Sequence, residues 1–299
     1  MNRPKICSII VPIYNEEAAL HKTISHLLEI TSSISHWGFE IICVNDGSKD
    51  RSGEILREIN GIRVIHHEIN RGYGAALRSG LLTAKSDWIF IIDADGTYPL
   101  QDLPRLLNAA NEDIGMVVGS RMGIGINAAP HKRIARWLLR KMVQSLTGVL
   151  VPDLNSGMRI FKRQIFLEFQ HLLPYSFSFT TTITVASLYT GYRIHFLPIQ
   201  YDHRVGKSNI RPLKDFFGFT MLIIRVSAYF EPLRFFLPIS AFFFLLGIAK
   251  GIRDFIIFNS LGSLVIIFLM LSLQTFMMGV LADVIVKRAQ ANYLPRLDP

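Results

Sequence analysis

From Phe235 to Val286 the chain runs 52 residues with only four charged side chains, Lys250, Arg253, Asp254 and Asp283. A segment that apolar is long enough to cross a hydrocarbon core twice, since about 20 residues span it once. Every other member of the 32 Lys and Arg and 23 Asp and Glu residues lies outside this stretch. So uneven a charge distribution excludes a disordered chain, a collagen and a uniformly soluble globule. It points to a polar domain joined to a two-helix membrane hairpin over residues 233–288, with spans near 233–252 and 259–283 and a turn at Lys250–Asp254. Residues 212–232 mix Phe216, Phe217, Phe219 and Leu222 with Lys214, Asp215 and Arg225, which suits an interfacial amphipathic helix better than a span.

Basic residues flank the hairpin on both sides: Arg204, Lys207, Arg211, Lys214 and Arg234 before it, Lys287 and Arg288 after it. The positive-inside rule places both flanks, and the tail 289–299, in the cytosol. The opening stretch Ile6–Pro12 is short, carries Pro12 and meets Asn15-Glu16-Glu17, so it reads as a first strand and not a signal peptide. The formal net charge is +9. No zinc-finger or RNA-recognition pattern accompanies it, so the expected anionic partners are a membrane surface and a phosphate-bearing substrate, not nucleic acid. Cys7 and Cys43 are too few for a disulfide framework, and their apolar surroundings predict buried, inert thiols.

Residues 1–211 alternate apolar strands with helical stretches. The expected strands are Ile6–Ile13, Glu40–Val44, Arg63–His66, Trp88–Ile92 and Met116–Gly119. The expected helices are Glu16–Ile30, Arg51–Ile59, Gly74–Ala84 and Leu103–Ala110. This is the pattern of an α/β domain with a mostly parallel sheet covered on both faces. Ligands of such sheets sit beyond the carboxyl ends of the strands, which directs attention to Asn45-Asp46-Gly47-Ser48 and Asp93-Ala94-Asp95-Gly96. Asp93 and Asp95, two carboxylates one residue apart at a strand end, suit one Mg²⁺ or Mn²⁺ ion, which takes oxygen ligands and bridges phosphates. Asp46 suits a base N–H or a ribose hydroxyl, and Ser48 or Asp50 a helix cap. The histidines show no metal-ligand spacing and read as ordinary surface or loop residues. Asp153 is open to two roles, general base or loop organiser. Arg133, Arg136 and Arg140, at i, i+3 and i+7 beside Trp137, are open to two as well: acceptor-phosphate recognition or a face turned to solvent or lipid headgroups.

Pro12-x-Tyr14-Asn15-Glu16, Asn45-Asp46-Gly47-Ser48-x-Asp50, Asn70-x-Gly72-x-Gly74-x-Ala76, Asp93-Ala94-Asp95, Gly119-Ser120-Arg121 and Ser156-Gly157-x-Arg159 stand in that order. Their order and the hairpin resemble family 2 glycosyltransferases, in the branch of dolichol-phosphate mannose synthases and bacterial polyprenyl-phosphate glycosyltransferases. The resemblance implies a GT-A nucleotide-sugar fold. It places Pro12, Tyr14, Glu16, Val44 and Asp46 at the nucleoside, Asp93, Ala94 and Asp95 at the diphosphate and metal, and Arg121, Arg204 and Lys207 on the donor. Catalytic roles fall to Asp93, Asp95 and, for a hydroxyl acceptor, Asp153. Two departures stand out: Asn209 where relatives carry lysine, and Phe177–Thr184 without the glutamate that many relatives show there.

The implied activity is inverting transfer of one sugar from a UDP- or GDP-sugar to a dolichyl or undecaprenyl phosphate, at the cytosolic face of a bacterial inner membrane. Transfer to a hydroxyl in glycolipid or polysaccharide synthesis is the alternative, and a membrane scaffold that has kept the fold is a third. Processive synthases carry Gln-x-x-Arg-Trp, whereas Arg133 precedes Arg136-Trp137 here. The sequence leaves the sugar, the lipid length, the metal and any homo-oligomer open.

Overall fold

The computed structural model describes residues 5–121, 140–141, 143–144, 147–175, 178–200, 229 and 231–293. Two compact units divide between residues 219 and 220. The first holds a seven-stranded sheet in the order β3-β2-β1-β4-β6-β5-β7. Its strands are β1 (Lys5–Ile13), β2 (Trp37–Asp46), β3 (Arg63–His67), β4 (Trp88–Ile91), β5 (Met116–Arg121), β6 (Arg159–Lys162) and β7 (Ile194–Ile199). The helices are α1 (Glu17–Ser33), α2 (Ser52–Glu58), α3 (Tyr73–Thr83), α4 (Leu103–Ala109), α5 (Arg163–Phe169) and α6 (Phe179–Tyr189).

β3, β2, β1 and β4 run parallel. β6 runs antiparallel to both β4 and β5, and β7 is parallel to β5. The expected strands and helices of the first half are present, with ends displaced by up to three residues. β6, β7, α5 and α6 were not anticipated. β6 is four residues long with a charge at each end, and β7 carries Pro198, so neither shows the unbroken apolar run that marked β1 and β4. Ile9, Ile10 and Val11 of β1 and Phe90 and Ile91 of β4 are fully buried, as strands covered on both faces must be. Cys7 and Cys43 lie in the same core, and burial pushes the Cys43 thiol up to about 12.

α3 packs closely on this sheet because Gly80 faces it. A Cβ at Gly80 would come 2.5 Å from Ile10 Cγ2 and 3.3 Å from Val44 Cγ2. Val44, expected at the nucleoside, therefore has its side chain committed to the core.

The second unit is a helical hairpin, α7 (Pro232–Phe258) and α8 (Ser263–Tyr293). The turn expected at Lys250–Asp254 lies instead at residues 259–262. Lys250 and Asp254 form an i,i+4 ion pair inside α7, and Asn259, at φ +50°, ends the helix by donating its N–H to Phe255 O. The two helices meet over small residues, as membrane helices do: Gly247 against Leu269, Gly251 against Val265, Gly279 against Phe236. Ser240 Oγ–H adds a bond to Ser272 O at 2.9 Å. Around this seam the large apolar side chains face outward; Ile256 is 76 % exposed and Ile285 67 %. A core helix of a soluble protein would bury them, so the hairpin suits a bilayer. The expected interfacial helix falls almost wholly outside the described residues.

Gly80→Ala should lower stability despite alanine's better helix propensity, because overpacking a rigid core costs about 1–3 kcal/mol against about 1 kcal/mol gained in propensity. Thermal unfolding in detergent checks the sign; a raised midpoint would contradict this packing.

Candidate active site

The order β2-β1-β4 puts a switch point between β1 and β4, and sheets of this kind bind ligands outside the carboxyl ends of the strands at such a point. The loop after β1 and the loop after β2 are laced by side chains. Asn15, at φ +56°, donates its N–H to Ser48 Oγ, and its Oδ1 accepts the Lys49 N–H. The Glu16 N–H reaches Ser52 Oγ, and the Glu17 N–H reaches Asp50 Oδ2. Asp50 thus tethers the start of α1 in addition to accepting the Ser52 N–H through Oδ1. Burial alone would raise its pKa, but the bonds from Ser52 and Glu17 lower it on balance. Tyr14 and Glu16 are half-buried at the mouth and Pro12 is buried behind them.

Asp46 is 2 % exposed. Its Oδ1 lies 2.6 Å from His67 Nδ1 and accepts the Arg71 N–H at 3.0 Å, while Oδ2 accepts the Gly72 N–H at 2.8 Å. The carboxylate expected to face the nucleoside is turned onto the chain's own loop. His67, expected at the surface, is its buried neighbour. Glycine is required on both sides of this contact. Gly47 (φ +67°) would place a Cβ 2.5 Å from the Ile69 carbonyl carbon, and Gly72 (φ +99°) would place one 2.7 Å from Tyr175 O.

The residue after Gly72 connects Asp46 to the second acidic site. Tyr73 donates its hydroxyl to Asp93 Oδ1 at 2.9 Å. Burial first, and then the Asp93 charge, raise the Tyr73 pKa well above its ordinary value, so the phenol stays a donor. Continuing the β4–β6 pairing of Ile91 with Arg159 by two residues brings Gly157 opposite Asp93. A Cβ at Gly157 would lie 2.3 Å from Asp93 Oδ2, so only glycine lets this backbone cross the carboxylate. The Gly157 N–H donates to Tyr98 Oη at 2.6 Å. Asp95, 7 % exposed, accepts the Thr97 N–H and hydroxyl at Oδ1. Asp93 and Asp95 fit a hard divalent cation: both are carboxylates, on one strand end, each with one oxygen oriented by a hydroxyl. Among the described residues no third His, Cys, Asp or Glu completes a cluster with them, so phosphate and water would fill the rest of the shell.

A second constellation lies on the antiparallel side of the sheet. Arg121 clamps Asp153 with Nε at 2.7 Å and Nη2 at 2.9 Å, and the Asn155 N–H binds Asp153 as well. Burial acts to raise the Asp153 pKa, but the bonds and charge of Arg121 and the Asn155 amide outweigh it, and the pKa falls below its ordinary value. Asn155 Oδ1 accepts the Thr181 hydroxyl from α6. Arg159, with no exposed surface, donates to the carbonyls of Ser156 and Thr180 and to Thr184 Oγ1. It forms no ion pair among the described residues, and burial pulls its pKa down to about 10.

Comparison with known proteins shows the family. Residues 8–169 match the Glycosyl transferase family 2 domain, over half the chain. The chain belongs to glycosyl transferase family 2. It is a glycosyltransferase, and residues 231–287 also match the GtrB C-terminal hairpin. A dolichyl-phosphate hexose transferase of Haloferax volcanii is 31 % identical over 206 residues, covering 69 % of this chain and 86 % of the relative. An undecaprenyl-phosphate 4-deoxy-4-formamido-L-arabinose transferase of Aeromonas hydrophila is 34 % identical over 166 residues, 54 % of this chain; the match spans 50 % of that relative's length. In fold, the chain is similar to glucosyl-3-phosphoglycerate synthase of Mycobacterium tuberculosis solved with Mn²⁺, UDP and phosphoglyceric acid. That likeness has a TM-score of 0.58 at 20 % identity and covers 74 % of this chain and 77 % of the other. The GT-A expectation is met, and the hairpin match and the two apolar helices associate this family 2 enzyme with a membrane.

Of the remaining expected site residues, Ala94 is buried between the two aspartates and Arg140 is exposed. Arg133, Arg136, Arg204 and Lys207 lie outside the described residues. Sequence reasoning did not find Tyr73, Thr97, Tyr98 or the pairing of Arg121 with Asp153. Tyr73 was within reach, since it stands inside the quoted Gly72-x-Gly74.

The lowered Asp153 pKa carries a sign. Stability from the Arg121 pair is fully present above the ordinary carboxylate pKa, about 3.9, and is lost as pH falls through the lower folded value. The melting-temperature gap between the native chain and Asp153→Asn should therefore hold constant from pH 7 to about pH 5 and close below about pH 4. Thermal unfolding of both proteins across that range checks it, and a gap undiminished at pH 3 would count against the pair.

Proposed function

We propose that this protein is a membrane-bound inverting glycosyltransferase that moves one sugar from a UDP- or GDP-sugar to a polyprenyl phosphate, with Mg²⁺ or Mn²⁺ at Asp93 and Asp95. The observation that carries the reading is Asp93 and Asp95 standing at the switch-point end of the sheet in a chain that also has the hairpin. The relatives named for dolichyl- and undecaprenyl-phosphate transfer support the acceptor, and the UDP and Mn²⁺ of the structural neighbour support the donor and metal classes.

Pro12, Tyr14 and Glu16 line the nucleoside side of the crevice. Asp46 serves it indirectly, by fastening the loop at Arg71 and Gly72. Asp93 and Asp95 hold the divalent ion, which when bound offsets the charge gathering on the departing diphosphate. Arg121, oriented by Asp153, faces the donor, and Arg204 and Lys207 complete its phosphate contacts. Arg133, Arg136 and Arg140 receive the acceptor phosphate. That phosphate has a second pKa near 6, as phosphoamino acids do, so it arrives largely as a nucleophile and asks no proton transfer of the protein. Attack from the face opposite the diphosphate inverts the anomeric carbon. The catalytic unit faces the cytosol, at the inner membrane of a bacterium.

Two substitutions test this reading with labelled nucleotide sugars, membranes containing polyprenyl phosphate, and counting of label in organic solvent. Asp95→Asn should cut transfer by at least about 10²–10³-fold while the fold survives, the size expected for lost charge stabilisation. Turnover at the native rate would refute the metal assignment. Asp153→Asn should keep activity within about tenfold, since losing a general base costs about 10²–10⁴-fold. A loss in that larger range at saturating donor, with intact folding and unchanged donor affinity, would favour a hydroxyl acceptor.

A further inference from the structure

We propose that His67 is a positioning residue for the donor site: acting through Asp46, it fixes the loop that aims Tyr73 at Asp93. The inference rests on the reading that Asp93 and Asp95 hold a divalent ion.

Asp46 and His67 are register neighbours at the ends of β2 and β3. Their side chains are 3 % and 5 % exposed, so water does not compete for their contact. Both oxygens of Asp46 already accept backbone N–H bonds, and a carboxylate in that setting accepts again from His67 Nδ1–H at 2.6 Å. The other ring nitrogen, Nε2, lies 2.9 Å from Ser79 Oγ, a hydroxyl able to donate or accept. The proton on Nδ1 is assigned from the network. Held at both nitrogens, the ring cannot turn without breaking two bonds.

The held carboxylate in turn sets the loop. Asp46 grips consecutive amides, Arg71 and Gly72, and the next side chain is Tyr73, whose hydroxyl meets Asp93 Oδ1. The backbone at Gly47 packs against Ile69 and Asn70, and that at Gly72 against Tyr175, closely enough to exclude a side chain at either position. A rotated Asp46 carboxylate would therefore move Tyr73, and with it Asp93. Groups that orient metal ligands from behind set metal affinity by about 10–100-fold when removed. His67 sits three such links behind Asp93, through Asp46, the Arg71–Gly72 backbone and Tyr73.

The test is calorimetric titration of Mn²⁺ in the presence of UDP, on the full chain in detergent, together with the Mn²⁺ dependence of transfer. His67→Gln places its amide at the Nε2 end, toward Ser79, and loses the Asp46 bond. It should weaken Mn²⁺ binding by about 10–100-fold and raise the Mn²⁺ concentration for half-maximal transfer by the same factor, with kcat at saturating Mn²⁺ near that of the native chain. His67→Asn places its amide nitrogen where Nδ1 stood and should restore most of the affinity. A merely structural role would lower the amount of active protein and leave the midpoint where it was. Native Mn²⁺ affinity in His67→Gln, or an equal loss in His67→Asn, overturns the proposal. If His67→Gln does not fold, Ser79→Ala carries the test, with a smaller shift in the same direction expected and an unchanged midpoint counting against it. Native binding in Asp95→Asn, or no Mn²⁺ binding by the native chain, would instead remove the reading on which the inference rests.

Discussion

The active-site edge depends on three parallel strands that are buried on both faces and locked in one register. Ile13 stands beside Asn45 and Ile10 beside Ile91, so β1, β2 and β4 deliver their loops to the same edge of the sheet. Polar side chains can accumulate only where the apolar strands stop. A slip of one residue would turn every core side chain to the opposite face and would exchange Asp46 with Asn45 in the contact with His67. The cost of unpacking Ile9, Ile10, Phe90 and their neighbours thus holds groups that lie outside the core.

The loops at that edge contain little regular backbone pairing, and side chains replace it. Asn15, Ser48, Asp50 and Ser52 join two loops; Asp46 joins β2 to the loop before α3. Each such bond contributes about 1 kcal/mol net, so the set works by number and by direction. Arg159 extends the same device into the core. A buried cation is costly unless its hydrogen bonds are met, and here carbonyls from residues 154, 156 and 180 meet them, along with the Thr184 hydroxyl. This explains how a strand as short as β6 stays fixed between β4 and β5, with Gly157 directed at Asp93.

The part of this design that is local in sequence was legible there. Continuous Ile and Val runs announced the parallel strands, and the aspartates at their ends announced the crevice. The apolar C-terminal stretch announced the hairpin, but its turn was misplaced because Lys250 and Asp254 read as a break when they are an ion pair within one helix turn. What remained hidden depends on pairings between distant residues. His67 meets Asp46 across 21 positions, and Arg121 meets Asp153 across 32. β6 is four residues with a charge at each end and β7 is interrupted by Pro198, so both take their place from the strands they join.

The donors that reach each carboxylate separate the acids by chemistry. Asp153 receives a guanidinium, which offsets its charge and depresses its pKa, so it is a poor proton acceptor. Asp93 and Asp95 receive hydroxyls from Tyr73 and Thr97, each of which orients one carboxylate oxygen. An enzyme activating a hydroxyl needs a base whose pKa is raised toward neutrality, and Asp153 is shifted the other way. An acceptor that is already anionic makes no such demand. It needs a donor whose leaving diphosphate is stabilised, which is the role proposed for Asp93 and Asp95. The lowered pKa of Asp153 therefore fits the proposed lipid-phosphate acceptor better than a hydroxyl that must first lose a proton.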